Sequence, residues 1–179
     1  MEDYYENMFY VPLVHIKVKN WKNKKEQILN LYQKTTLEQD GDDQKVFTDF
    51  HIDAFSFNKV VQELFDDELN ILLDKLDIKT KNITASWFET SKVGNYHPLH
   101  THGCYGYSAV CYIEYDKEVH EPTIFVAPFL NFWDGNVLDY NPKVDEGSII
   151  FFPSSIVHYT KPNYSEKQRT ILSFNIRES

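Results

Sequence analysis

Three histidines lie within six residues at the start of an apolar, tyrosine-rich stretch of the chain. The segment reads GNYHPLHTHGCYGYSAVCYI, from Gly94 to Ile113, and it contains His97, His100 and His102. Residues two apart on a β-strand point to the same face, so His100 and His102 would project together. His97 has the opposite parity unless the proline after it makes the strand irregular. A buried imidazole is costly unless hydrogen bonds or a metal ion satisfy its nitrogens.

A histidine more than fifty residues further along the chain favours a metal ion over hydrogen bonds as the partner of these imidazoles. His158 follows a glycine turn, an apolar run and a proline in the segment EGSIIFFPSSIVHYTKPN. A strand that starts at Gly147 and turns at Pro153 would bring His158 to the end of a β-barrel that holds the earlier pair. Three neutral imidazoles can bind a first-row divalent metal on one face and leave positions open for other ligands. We therefore predict a metal site formed by His100, His102 and His158. The remaining histidines are assigned to surface or packing roles: His15, His51 and His120.

An arginine begins the last strand-like segment, RTILSFNI, eleven residues after His158. Alternation divides this segment into one almost wholly apolar face, suited to packing under helices, and one face that carries Arg169, Ser173 and Asn175 towards the interior. A buried guanidinium needs an anionic partner, and a carboxylate of a ligand could bind it in bidentate fashion. The alternative is an exposed arginine beside the loop SEKQ.

With these residues assembled, the chain resembles the iron(II)- and 2-oxoglutarate-dependent oxygenases, and among them the small enzymes of bacteria and phages. The elements that carry the resemblance are HTH at 100–102, YSAVCYI at 107–113, FPSSIVH at 152–158 and RTILSFN at 169–175. It is strong from about Thr84 to the C-terminus. The first half of the chain shares only the general layout.

The resemblance implies a double-stranded β-helix with iron at its open end. The 2-oxo acid end of 2-oxoglutarate would chelate the iron, and its far carboxylate would pair with Arg169. Dioxygen would be used to hydroxylate a peptide or small-molecule substrate, with release of succinate and CO2. Ser108, Tyr112 and Ser173 are further candidates for hydrogen bonds to this co-substrate.

One ligand position departs from the usual pattern of these oxygenases. His102 stands where an Asp or Glu is common. A neutral ligand in place of an anion leaves iron more electropositive and should change both its potential and its retention. The sequence leaves open whether His102, an acid or water is the third ligand.

Two other functions compete with the oxygenase. Gly94 with the His-x-His pair, and Gly147 with Pro153 and His158, also resemble the cupin motifs, although the glutamate downstream of the first motif is missing. A cupin-like three-histidine metalloenzyme that does not use 2-oxoglutarate is therefore an alternative. A non-catalytic jelly-roll binding or structural protein with packed histidines is the second. Arg169 favours the oxygenase, because a cupin has no need of a guanidinium there.

The elements around these motifs predict an α+β, mainly β fold. A partly alternating strand at Phe9–Val18 precedes a helix, and a long amphipathic helix follows at Asn58–Leu76. Short β-branched and aromatic runs, separated by turn residues, make up the rest of the chain. This order suggests helices packed on one sheet of a jelly-roll, cupin-like core. We expect a single domain over 1–179, with a strand and helical layer in 1–82 and the β-helix core in 83–179.

Composition excludes several classes of protein. The net charge of −9 argues against nucleic acid as a partner. The two cysteines, Cys104 and Cys111, suit neither a disulfide framework nor a cysteine zinc site. The start, MEDYYENMFY, lacks the features of a signal peptide, and no apolar run reaches membrane-spanning length. We expect a cytoplasmic protein without a membrane partner, and the sequence leaves open whether it forms a homodimer.

Overall fold

Two antiparallel sheets form the centre of the molecule in the computed structural model, which describes residues 6–41, 45–53 and 56–177. The strands are β1 (Val14–Lys17), β2 (Glu38–Gln39), β3 (Phe47–Thr48), β4 (Ile83–Ser91), β5 (His97–His100), β6 (Tyr107–Glu114), β7 (Ile124–Val126), β8 (Asp139–Tyr140), β9 (Ser148–Pro153), β10 (His158–Thr160) and β11 (Arg169–Ile176). The helices are α1 (Trp21–Tyr32), α2 (Phe50–Asp53), α3 (Asn58–Leu64) and α4 (Asp66–Leu76). The larger sheet has the order β1-β9-β6-β11-β4-β3-β2, and the smaller has the order β5-β10-β7-β8.

Helices α1, α3 and α4 cover the outer face of the larger sheet. Buried residues of α1, α3 and α4, such as Ile28, Val61 and Leu72, share one apolar cluster with Leu172 and Phe174 of β11. The alternation in RTILSFNI predicts this face correctly. The burial of such side chains stabilises the layer by about 1.5–3 kcal/mol each. A mainly β fold with helices on one sheet confirms the predicted fold class.

The inner face of the larger sheet packs against the smaller sheet. Val110 and Tyr112 of β6, Ile150 and Phe152 of β9, and Phe125 of β7 belong to this second cluster. Strand β11 lies between β4 and β6, so its inward side chains reach the middle of the space between the sheets. Arg169, the residue predicted to bind the co-substrate, is among these inward side chains of β11.

The prediction of one long helix at Asn58–Leu76 is wrong in one respect. The structure has two helices over this range, α3 and α4, which meet at Phe65. The backbone there leaves helical geometry, with φ −104° and ψ 21°. The ring of Phe65 is fully buried and stacks on Phe174 of β11 with ring centroids 5.7 Å apart, so the boundary between the two helices lies at a packing contact with β11. Three acidic residues follow in the first turn of α4, where the helix dipole favours them.

A buried ion pair joins α4 to α1. Glu68 is fully buried, and its carboxylate accepts hydrogen bonds from the Lys24 ammonium at 2.7 Å and from the backbone N–H of Lys19 at 2.9 Å. The pair lies on the helical side of the larger sheet, outside the space between the two sheets. Within the described ranges, no helix is long and apolar enough to cross a membrane.

The C-terminal cap of α4 provides a test of local backbone energetics. Asp77 has φ 50°, a left-handed conformation that glycine adopts without steric cost, and its charge opposes the dipole of the preceding helix. Asp77→Gly is therefore expected to raise the free energy of unfolding in urea by roughly 0.5 to 1 kcal/mol. Asp74→Gly, an exposed position inside the same helix, is the matched control and should lower it. A loss of stability in both variants would contradict the left-handed cap.

Candidate active site

Three imidazoles converge at one end of the space between the sheets. His158 is the first residue of β10 and lies opposite His100, the last residue of β5. The candidate ligand nitrogens of His100, His102 and His158 all lie within 4.8 Å of one another. The Nε2 atoms of His100 and His102 are 3.3 Å apart. The convergence that the sequence predicts is therefore present in the fold.

His102 reaches this cluster from beyond the strand. Strand β5 ends at His100, so the alternation of a strand does not by itself place His102. Its backbone N–H donates to the carbonyl of Ser154 at 2.9 Å, which holds the chain after β5 against the turn that leads to β10. Arg177 also donates a hydrogen bond to the backbone carbonyl of His102.

All three rings have the same tautomer. The Nδ1 atom of His100 is 2.8 Å from the carbonyl oxygen of Pro98, and that of His158 is 2.9 Å from the carbonyl oxygen of Ile156. The Nδ1 atom of His102 is 3.1 Å from Oδ1 of Asn175. Because these oxygens only accept, each Nδ1 carries the proton, and each Nε2 keeps a lone pair for a ligand. Metal-binding histidines have this arrangement.

The electrostatics of the cluster keep the rings neutral. Burial, followed by the neighbouring His100, lowers the pKa of His102 to about 3. Burial likewise lowers the pKa of His100 and holds the pKa of His158 well below its usual value. Neutral imidazoles with converging lone pairs fit a divalent metal ion such as iron(II).

Arg169 points into the space between the sheets, as alternation predicts. It is only 3% exposed, and its guanidinium carbon lies 5.6 Å from the centre of the Tyr112 ring. Its Nη2 donates to Oγ1 of Thr123 at 3.4 Å. Its Nε and Nη1 have no hydrogen-bond partner among the described residues. A buried guanidinium with two free donors is suited to an anionic ligand.

Two residues outside the predicted site connect the histidines to Arg169. The ring of His97 stacks on His100 with centroids 3.8 Å apart, and its Nδ1 is 2.7 Å from Oε2 of Glu89. The other oxygen of Glu89 lies 3.7 Å from Nη1 of Arg169. The register of β5 and β10 shifts between His158 and Thr160, which gives His97 its position despite its parity.

The other three residues predicted to bind the co-substrate lie at different places in the space between the sheets. Tyr112 is beside Arg169, and its hydroxyl accepts from the backbone N–H of Thr123 at 3.1 Å. Ser173 is buried and lines a narrow cavity of about 10 Å³ together with the three histidines. Ser108 lies at the His102 end, where its hydroxyl donates to Asn175 at 2.8 Å. Asn175 faces the interior, as the alternation in β11 predicts, and contacts both His102 and Ser108.

A larger cavity opens beside the histidines. It has a volume of about 570 Å³, and His97, His100 and His102 form part of its wall. Aromatic side chains on the same wall are Phe50 and Trp87. Its size is within the usual range for sites that hold a small molecule or part of a larger substrate.

Residues 85–175 match the sequence model of a protein family described as "Putative 2OG-Fe(II) oxygenase". The match covers about half of the chain and includes His100, His102, His158, Arg169 and Glu89. The chain belongs to this family. Oxygenases of the family use iron(II) and 2-oxoglutarate, with dioxygen as the second co-substrate, and the chain is accordingly an oxidoreductase. Membership favours this function over the cupin-like and the non-catalytic alternatives.

Solved structures establish the fold of this oxygenase. A prolyl-4-hydroxylase from Pseudomonas putida is 13% identical, with a TM-score of 0.66 over 93% of this chain and 92% of that chain. HygX from Streptomyces hygroscopicus, with nickel and 2-oxoglutarate bound, is 10% identical, with a TM-score of 0.66 over 94% of this chain and 84% of that chain. The viral collagen prolyl hydroxylase vCPH from Paramecium Bursaria Chlorella virus-1 is 14% identical, with a TM-score of 0.60 over 93% of this chain and 96% of that chain. The fold is the predicted double-stranded β-helix. Among curated proteins, none matches the sequence.

Proposed function

We propose that His100, His102 and His158 hold the iron and that Arg169 binds the far carboxylate of 2-oxoglutarate. The observation that carries this proposal is that one ligand nitrogen from each of the three imidazoles lies within 4.8 Å of the other two, and that a buried, partly unpaired guanidinium is linked to this cluster through Glu89 and His97. Bound iron would supply the centre at which the 2-oxo acid and dioxygen react. Three neutral nitrogens leave coordination positions free for both co-substrates.

The chain itself orients the co-substrate and excludes water from it. Arg169 offers Nε and Nη1 as donors, and the ring of Tyr112 forms a wall beside the guanidinium. Thr123 and Ser173 line the narrow cavity and supply hydroxyl groups along it. A charge-assisted hydrogen bond is strongest in such a dry environment, so the far carboxylate would be held firmly.

The substrate is proposed to be a peptide or a small molecule that enters the 570 Å³ cavity beside the histidines. Both classes occur among similar structures. A prolyl hydroxylase from Trichoplax adhaerens is in complex with a peptide fragment, and HygX also has a structure with hygromycin B bound. Hydroxylation of a C–H bond, with release of succinate and CO2, is the proposed reaction.

Spectroscopy under anaerobic conditions tests this assignment. Iron(II) added to tag-free protein should give a weak visible charge-transfer band only after 2-oxoglutarate is added. Aerobic incubation of the same sample with 2-oxoglutarate, and with ascorbate as the reductant, should release succinate. If 2-oxoglutarate neither changes the spectrum nor yields succinate, the cupin-like alternative gains support. A preparation that takes up no metal would favour the non-catalytic one.

Location, domain organisation and assembly are proposed from the sequence alone. A cytoplasmic location and a single domain over 1–179 stay predictions, and homodimer formation stays open. Size-exclusion chromatography with light scattering measures the oligomeric state directly.

Asn175 is expected to position His102. Its Oδ1 accepts from the ring of His102 and from Ser108, so removal of the amide would free the ring to rotate. Asn175→Ala should weaken metal binding about 10- to 100-fold, the usual effect of such a loss. A competition titration against a coloured chelator measures this affinity. Asn175→Asp keeps the accepting oxygen and should keep the affinity near that of the parent. Equal affinity in the parent and Asn175→Ala would contradict the role.

A further inference from the structure

A second carboxylate is already present beside Arg169. Glu89 lies on the inward face of β4, directly across from Ile171 of β11, and is only 3% exposed. Burial alone would raise the pKa of Glu89, but His97 and then Arg169 outweigh it and hold the pKa at about 2. The side chain is therefore an anion at neutral pH. The proposed metal and co-substrate contacts make no use of it.

The geometry of Glu89 leaves its pairing with Arg169 incomplete. Its Oε2 is 2.7 Å from the ring of His97, whereas its Oε1 is 3.7 Å from Nη1 of Arg169. That second distance exceeds a hydrogen bond, and neither Oε1 nor Nη1 has another partner among the described residues. Arginine and carboxylate groups that pair fully approach to about 2.7–2.9 Å, often through two bonds. His97 thus holds Glu89 at the edge of the guanidinium.

Glu89 also lies on the path between the histidines and Arg169. It lines the narrow cavity together with His158 and Thr123. Contacts run from His100 through the stacked ring of His97 to Glu89 and then to Arg169. A ligand that reached from the histidine cluster to the guanidinium would pass this carboxylate.

We propose that Glu89 is a specificity-determining residue, a resident anion that competes with the far carboxylate of 2-oxoglutarate for Arg169 and lowers the affinity of the site for it. This inference rests on the proposed function of Arg169. Without a ligand, Glu89 partly offsets the cost of burying an unpaired guanidinium. When a second carboxylate enters, the two anions share one guanidinium and repel each other. The penalty falls only on co-substrates that carry the far carboxylate.

Glu89→Gln tests the proposal, because glutamine has nearly the same shape without the charge. Dissociation constants are measured for 2-oxoglutarate and for pyruvate, a 2-oxo acid without the far carboxylate, on anaerobic iron(II)-loaded protein. The variant should bind 2-oxoglutarate roughly tenfold more tightly, while the dissociation constant of pyruvate should change less than about twofold. Without co-substrate it should melt at a lower temperature, since Arg169 loses its resident partner.

Glu68→Gln is the matched control. It also neutralises a buried carboxylate that pairs with a basic side chain, but on the helical side of the larger sheet. It should lower the melting temperature and leave both dissociation constants unchanged. Glu89→Met, of similar length and also uncharged, repeats the test if the glutamine variant fails to fold. It should also bind 2-oxoglutarate more tightly than the parent does.

The outcomes separate this inference from the function on which it rests. If the parent binds 2-oxoglutarate and the Glu89 variants bind it equally or more weakly, the competition is overturned and the proposed function stands. If the variants bound pyruvate more tightly by the same factor, the competition would also be overturned, because the effect would not depend on the far carboxylate. If neither parent nor variants bind 2-oxoglutarate, both the proposed function and the inference fail.

Discussion

Replacement of His158 by alanine is expected to abolish stoichiometric iron binding while the chain stays folded. His158 supplies one of three converging nitrogens, and the described residues place no carboxylate in that cluster to replace it. The two remaining nitrogens, on His100 and His102, would bind a divalent ion weakly. Metal analysis of tag-free protein, combined with a thermal melt, measures both properties. We expect an affinity at least about a hundredfold lower, since a whole ligand is lost rather than a positioning contact.

A second buried histidine provides the control for this variant. The ring of His120 accepts from the backbone N–H of Asp116 at 3.0 Å and lies 3.0 Å from the carbonyl oxygen of Lys167, so both nitrogens already have partners. His120→Ala removes an imidazole of similar burial away from the cluster and should keep one iron per chain. Stoichiometric iron in His158→Ala would remove His158 from the metal site.

Replacement of Arg169 by alanine should separate co-substrate binding from metal binding. The guanidinium is the proposed partner of the far carboxylate only, so iron should bind as in the parent. The dissociation constant of 2-oxoglutarate should rise about a hundredfold, because charge-assisted bonds are lost in a buried place. Titration of the anaerobic iron(II) protein with 2-oxoglutarate measures the change.

Arg169→Lys refines the same experiment. Lysine keeps the positive charge but cannot offer the planar, bidentate donors of a guanidinium, so its affinity should lie between those of the parent and the alanine variant. Pyruvate should bind all three proteins alike. A loss of iron that equals the loss of 2-oxoglutarate would contradict the assignment of Arg169 to the co-substrate.

Much of the core was predictable because its signals are local. The alternation in RTILSFNI assigns Leu172 and Phe174 to the helical side and Arg169 to the interior, and β11 is observed at Arg169–Ile176. A strand exposes its two faces with a period of two, whatever it packs against. The division at Phe65 was not predictable, because it depends on a ring contact with Phe174, more than one hundred residues away in the chain.

The sequence by itself determined the chemistry available to this protein: three imidazoles in two recognisable motifs, an arginine at the start of an inward-facing strand, and the family to which they belong. Only the tertiary structure decided how these groups act together. It pairs His158 with His100, orients each Nε2 through an acceptor on Nδ1, and sets Glu89 beside Arg169. The face of a strand on which each side chain lies follows from the order of residues within that strand. Their partners follow from strand register between distant segments, which the pattern of residues within one strand does not specify.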